Sequence, residues 1–161
     1  MTIILAADCD WAIGKDGGLL AHIPEDMKFF RETTKNSTVV MGRKTWDSFP
    51  KKPLPNRVNC VISRSVKRLD GAQVFGSTEE FLEYAKTAGG RIFVIGGGEI
   101  YRQLLPYCDE ALITRIYESF GGDVFFSDIE HDKDWQLAEA SPVIESECRA
   151  IRFFRYVRKK L

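Results

Sequence analysis

The stretch Ile23-Pro24-Glu25-Asp26-Met27-Lys28-Phe29-Phe30 puts a carboxylate where a solvated helix does not need one. Pro24 suits the first helical position, where its fixed φ fits and its missing N–H is no loss. At about 100° per residue, Ile23, Met27 and Phe30 share one face, and Glu25 and Lys28 take the other. Asp26 falls about 60° from Ile23, on the flank of the apolar stripe, and is expected to be half-buried. Desolvation raises the pKa of such a carboxyl, and a helix N-terminus lowers it. In both cases it is a fixed acid against an apolar pocket, suited to gripping a cationic heterocycle or managing a proton. The plainer alternative is a first-turn Asp that serves the helix dipole.

A second chemistry-bearing set is basic and glycine-rich. Gly42 separates an apolar run from Arg43-Lys44-Thr45-Trp46. A glycine between a strand end and a helix N-terminus lets backbone N–H groups face an anion, and the two cations add charge at the same place. Ser63-Arg64-Ser65 ends another apolar run with hydroxyls and a cation. Gly96-Gly97-Gly98 lies between the most apolar run and a helical segment, a context suited to a diphosphate. It departs from G-x-G-x-x-G, because Tyr101 stands where the third glycine belongs, and it lacks the Gly-Lys-Ser/Thr of a P-loop. Glycines for close strand–helix packing are the alternative. The extra cations at Arg43, Lys44 and Arg64 suit a third phosphate, as in NADPH rather than NADH.

These groups must be placed by alternating elements. Strands are expected over residues 2–7, 38–41, 58–62, 72–75, 91–95 and 110–117. Helices are expected from Pro24 to about Thr34, from Arg43, from a Ser77 N-cap to Gly89-Gly90, and from Glu99 until Pro106 stops it. Residues 135–140 and 150–158 read as a closing antiparallel pair. Asp8–His22 is a long loop with Gly14, Gly17 and Gly18 and apolar Trp11, Ile13, Leu19 and Leu20, so a lid is expected there, with a plain surface loop as the alternative. The pattern defines an α/β domain with a largely parallel sheet, and ligands bind such sheets beyond the carboxyl ends of the strands. The marked residues gather on that edge.

The chain has 161 residues, 44% hydrophobic and 29% charged, the size and composition of one domain with a real core. Its 23 basic and 23 acidic residues cancel, which argues against nucleic acid or an anionic membrane as the main partner. The opening Met1–Ala7 reads as a strand and not a leader, and no run reaches membrane-spanning length. Cys9, Cys60, Cys108 and Cys148 form no C-x-x-C pair and read as thiols in a reducing cytosol. His22 and His131 are isolated, so neither a metal site nor a histidine triad is expected. No long exposed apolar stripe demands a partner, so a monomer is expected.

Four stretches in order carry a resemblance. Ile23–Phe30, Val40-Met41-Gly42-Arg43-Lys44-Thr45-Trp46, Pro53-Leu54-Pro55-Asn56-Arg57 and Val94-Ile95-Gly96-Gly97-Gly98-Glu99-Ile100-Tyr101 are similar to bacterial dihydrofolate reductases in content and spacing. The resemblance covers nearly the whole chain. It implies an eight-stranded sheet, parallel except for its C-terminal strand, with four flanking helices. It implies hydride transfer from NADPH to C6 of dihydrofolate, with protonation at N5, in a cytoplasmic enzyme that antifolates inhibit.

The same resemblance implies residue roles. Asp26 would hold the 2-amino and N3 side of the pterin and assist proton delivery, with Thr114 behind it and Leu19 of the lid completing the catalytic set. Met27, Phe30, Phe49 and Leu54 would line the pterin and aminobenzoate pocket, and Arg57 would clamp the α-carboxylate of the glutamate tail. Ile4, Leu5, Ala6 and Ile95 would meet the pterin, with Ala6 and Ile95 also meeting the nicotinamide. On the cofactor side, Gly42, Arg43, Lys44, Thr45, Ile62, Ser63, Arg64 and Ser65 would hold the adenosine phosphates. Gly97, Gly98, Glu99, Ile100 and Tyr101 would wrap the diphosphate and nicotinamide half, and Ile13, Gly14 and Gly17 of the lid would close over it. Gly121-Gly122-Asp123, read as a tight turn, would support one lid position.

One departure stands out. Many members have Pro-Trp after Gly-Leu, and this chain has Leu20-Ala21. Ala21 leaves more room and no indole to hold a water near Asp26. Two alternatives remain at this point: a reductase of the same fold acting on a ribosylated pyrimidine in riboflavin synthesis, and a non-catalytic dinucleotide- or folate-binding module. Asp26 with Arg57 favours a pterin that bears a carboxylate tail.

Overall fold

The computed structural model describes residues 1–160. Strand β1 covers Thr2–Ala7 and a short β2 covers Ala12–Gly14. Helix α1 (Pro24–Thr34) leads to β3 (Thr38–Gly42), α2 (Arg43–Ser48), β4 (Val58–Ile62) and β5 (Gln73–Phe75). Then come α3 (Thr78–Ala85), β6 (Ile92–Val94), α4 (Gly98–Leu104) and a 3-10 turn over Leu105–Tyr107. Strands β7 (Glu110–Ile116), β8 (Val124–Phe125), β9 (Trp135–Ala140), β10 (Ile144–Ser146) and β11 (Arg149–Arg158) complete the chain.

The main sheet runs β10-β11-β7-β1-β6-β3-β4-β5, with β9 also on the outer edge of β11. Strands β5, β4, β3, β6, β1 and β7 are mutually parallel, and β11 lies antiparallel to β7. β9 and β10 divide one strand position between them, pairing with opposite ends of β11. The result is eight positions, mostly parallel, with an antiparallel C-terminal part and four helices.

Strand alternation sorts the core into two faces. Ile3, Leu5, Val40, Cys60, Ile62 and Val94 pack with Phe81 and Leu104 beneath α3 and α4. Ile4, Val39, Met41, Val61, Phe93 and Ile95 pack on the other face with Phe29 and Phe30 of α1 and with Trp46, Phe49 and Leu54. Phe29 also stacks on Phe153 of β11, ring centroids 4.7 Å apart. The Ser77 side chain accepts from the Glu80 N–H and caps α3, a contact worth about 1 kcal/mol.

Several boundaries differ from the sequence expectation. α3 stops at Ala85, because Lys86–Ala88 wind into a turn well before Gly89-Gly90. Pro106 sits inside the 3-10 turn and does not end the helix itself. Residues 121–123 are not a closed turn but lead into β8, which pairs antiparallel with β2. Cys9 and Cys148 are exposed, and Cys60 and Cys108 are buried, where burial pushes both thiols up to about 12.

Candidate active site

Asp26 enters its pocket from the first turn of α1 and is half-buried. The Thr114 hydroxyl donates to Asp26 Oδ1 at 2.6 Å, leaving Oδ2 available to a ligand. Thr114 is 2% exposed and sits beside Ala6 in the parallel register of β7 and β1. Burial holds the Asp26 carboxyl above the usual carboxylate range, and the Thr114 hydrogen bond opposes that shift. Tyr101 lies behind this pocket, 5% exposed, and its hydroxyl donates to the Ile4 carbonyl at 2.8 Å. Its phenol is pushed well up by burial and by the charge of Asp26, so it stays a neutral donor.

The walls of the pocket come from one sheet face. Phe30, Phe49 and Leu54 pack with Ile4 and Ile95, and Ala6 joins the neighbouring cluster with Ala21 and Ile23. Met27, expected with Ile23 and Phe30 on the apolar face, is 38% exposed. Leu5 is a correction. The two-residue period turns its side chain into the opposite core, so only its backbone faces the site.

Arg57 is aimed by three hydrogen bonds. Its Nε donates to Thr34 Oγ1 at 2.8 Å, Nη1 to the Pro55 carbonyl at 2.7 Å and Nη2 to the Arg31 carbonyl at 3.2 Å. Its guanidinium carbon lies 5.9 Å from the Phe30 ring centroid. The loop beneath it is clamped by Asn59, which accepts from the Leu54 N–H and donates to the Leu54 and Arg57 carbonyls. Thr34 and Asn59 were missed in the sequence; their one signal was a polar side chain at the end or in the middle of an apolar element.

A second cleft, of about 1010 Å³, opens along the carboxyl ends of β3, β4 and β6. Gly42, Arg43, Lys44, Thr45, Ile62, Ser63, Arg64, Ser65, Gly97, Gly98, Glu99 and Ile100 all line it. The Gly42 N–H donates to the Gly96 carbonyl at 2.9 Å and draws the N-terminal ends of α2 and α4 together, neither capped by a side chain. A Cβ on Gly98 would sit 2.6 Å from Val124 Cγ1, too close to fit without a shift, and one on Gly42 would press on Ile100 Cγ1 at 3.0 Å. Uncapped N–H groups, hydroxyls and exposed Lys44 and Arg64 form a donor set that fits a polyanionic dinucleotide. Thr78, Gln103 and Val124 also line the cleft; Ser77-Thr78-Glu79 had signalled only a helix cap.

Other expected site residues stand differently. Leu19 is 78% exposed and does not join Asp26 and Thr114. Gly17 lies at the loop tip with φ +79, outside the cleft, because Lys15 and Gly18 pair across it. Arg43 donates its Nε to both oxygens of Asp47 within α2, which orients its guanidinium. The Glu99 carboxylate is tied to Arg102 and Gln103, so Glu99 offers the cleft its backbone. Gly14 and Ile13 lie in β2, and Gly14 pairs with Val124 of the cleft wall. A groove of about 960 Å³ at the opposite end of the sheet contains Glu110, which Arg91, Arg155 and Thr2 already satisfy.

Comparison with known proteins places the chain. A sequence model of dihydrofolate reductase matches residues 1–159. The dihydrofolate reductase of Neisseria gonorrhoeae is 40% identical over 162 residues, covering 99% of this chain and 98% of that protein. The bifunctional dihydrofolate reductase-thymidylate synthase of Daucus carota is 36% identical over 178 residues, and the match takes in 97% of this chain but 33% of that protein. A solved structure of the Enterococcus faecalis dihydrofolate reductase, complexed with NADP(H) and RAB-propyl, superposes with a TM-score of 0.88 at 36% identity, covering 99% of this chain and 96% of that one. The chain belongs to the dihydrofolate reductase family, a family of NADPH-dependent oxidoreductases.

Proposed function

We propose that the pocket at Asp26 and the basic cleft at Gly97-Gly98 act together in the family's reaction, over a single domain of residues 1–161. The chain reduces 7,8-dihydrofolate to 5,6,7,8-tetrahydrofolate with NADPH. The observation that carries the residue roles is the hydrogen bond between half-buried Asp26 and buried Thr114, beside the β1 and β6 strand ends.

When bound, NADPH supplies the hydride that goes to C6. Asp26 Oδ2 accepts from the amino and N3 edge of the pterin, while Thr114 keeps Oδ1 in place. Burial raises the Asp26 carboxyl above the usual carboxylate range, a shift that favours proton uptake there and supports a part in delivery to N5. Phe30, Phe49 and Leu54 exclude water from the aminobenzoate. Arg57, fixed by Thr34 and Pro55, offers its fork to the tail carboxylate. Ser63, Arg64 and Lys44 would hold the adenosine phosphates, and the Gly97-Gly98 backbone would hold the diphosphate. Antifolates that present an amino-amidine edge compete at Asp26. The enzyme works as a monomer in the cytoplasm; among the described residues, no helix is long and apolar enough to cross a membrane.

The test is NADPH oxidation with dihydrofolate as sole acceptor, for the parent and for Asp26→Asn. Turnover by the parent, reduced about a hundredfold or more in Asp26→Asn at neutral pH, is expected of a positioned acid–base group. Tight NADPH binding without turnover would instead favour the pyrimidine substrate or a binding role.

A further inference from the structure

Asp8 is fully buried, yet it touches neither the Asp26 pocket nor the basic cleft. Its Oδ1 accepts the backbone N–H groups of Asp10 and Ala12 at 2.8 and 3.0 Å, and its Oδ2 accepts that of Phe120 at 3.0 Å. Its own N–H donates to the Ala12 carbonyl, and its carbonyl accepts from the Trp11 N–H and from Arg115 Nη2. One residue thus ties together the exit of β1, the start of β2 and the connection between β7 and β8.

Neighbouring contacts repeat the pattern. The Cys9 N–H donates to the Glu118 carbonyl at 3.0 Å, and the Ser119 hydroxyl donates to the Asp10 carboxylate. Trp11 is held at φ 62, with the Arg115 guanidinium 3.9 Å from its ring centroid. Past β2 the fastening thins. Residues 15–19 are exposed, and Asp16 is held to the opposite loop by its N–H on Asp123 Oδ2 at 3.1 Å. The loop therefore has a rigid root and an exposed tip, and the root lies next to the catalytic pair. Ala6 pairs with Thr114 and Ala7 with Arg115, and Asp8 is the next residue.

We infer that Asp8 is a positioning residue for hydride transfer: its buried carboxylate fixes the root of the 8–22 loop so that the loop closes in register over the reacting rings. This rests on reading that loop as the lid. The geometry explains why a carboxylate is needed. Three N–H donors converge on two oxygens, and an amide would turn its NH2 group against at least one of them.

Asp8→Asn keeps the volume and removes one acceptor. Single-turnover hydride transfer at saturating NADPH and dihydrofolate is expected to slow about tenfold, the scale of a small misplacement at reacting centres, while dihydrofolate affinity stays within about threefold. A merely structural carboxylate would lower the melting temperature and the active fraction but leave the single-turnover rate of the folded enzyme intact, and that result overturns the proposal. A companion variant lacking residues 16–19 separates the two readings. If it is slow while Asp8→Asn runs at the parent rate, Asp8 loses its role and the lid stands. If both run at the parent rate, the lid reading falls and the role of Asp8 with it. Should Asp8→Asn not fold, amide exchange in the parent decides. Protection of Ala12 and Phe120 near the global limit, with Asp16 exchanging far faster, supports the fixed root. Rapid exchange at Ala12 and Phe120 overturns it.

Discussion

The Thr114 hydroxyl reaches Asp26 Oδ1 across 2.6 Å and joins a helix to a strand 88 residues further along the chain. The contact lets a carboxylate exist in a pocket whose burial otherwise opposes its charge.

That conflict has a thermodynamic sign. A carboxyl whose folded pKa is raised binds its proton more tightly in the folded state, so its contribution to stability is present below the unfolded pKa, near 3.8, and is lost as pH rises through the folded value. The ligand-free Asp26→Asn protein should therefore melt above the parent at pH 7, and the gap should close as pH falls towards 3.8. Calorimetric melts across that range check it; a gap that widens on acidification would refute the direction of the shift.

Arg57 holds its fork through Thr34 and two carbonyls, a geometry an ammonium cannot reproduce. Arg57→Lys should weaken dihydrofolate binding about tenfold or more, in line with losing a charge-assisted bidentate pair. NADPH affinity should not change. Titration calorimetry of each binary complex distinguishes this from a general loss of the fold, which would weaken both.

Gly98 has no room for a methyl, since its Cβ would lie 2.6 Å from the branched Val124 side chain. Gly98→Ala should lower NADPH affinity about tenfold by pushing the diphosphate turn off its position. Adding Val124→Ala should restore much of the loss. Failure of the second substitution to recover affinity would show that the cleft does not depend on this contact.

Ala21 packs at the edge of the cluster formed by Ile23, Ile116 and Ile151. Ala21→Trp should change substrate or antifolate affinity more than it changes the melting temperature. A large thermal shift with equal affinities would assign the position to packing alone.

Much of the site could be read from residue types because it depends on local grammar. Pro24 marked the start of α1, and the helical period then fixed the flank position of Asp26. Basic and glycine residues after Met41, Ile62 and Ile95 marked strand ends, and a parallel sheet brings such ends to one edge. What stayed hidden depends on partners distant in sequence. β2 and β8 are three and two residues long, too short for any periodicity, and they pair in a small sheet of their own although β3 to β7 separate them in the chain. Thr34 and Asn59 bear on the site through Arg57 and its loop. Residue type alone could not separate Arg43, already paired with Asp47, from Lys44, which has no carboxylate partner among the described residues. Nor could it show that Leu19 faces solvent.

The place of β1 in the sheet bears on how the chain is made. Thr2–Ala7 lies between β6 and β7, so both of its edges wait for residues encoded far downstream. On the ribosome this segment, without charge or proline, is made before both of its neighbours and is completed only after Glu110–Ile116 has followed. Until then it is an open template for other chains. Folate cannot rescue the partial product, because Thr114 arrives on the same late strand. Completion of β1 and of the Asp26–Thr114 pair therefore falls at one stage of synthesis, and folate can trap only molecules in which β7 has been made.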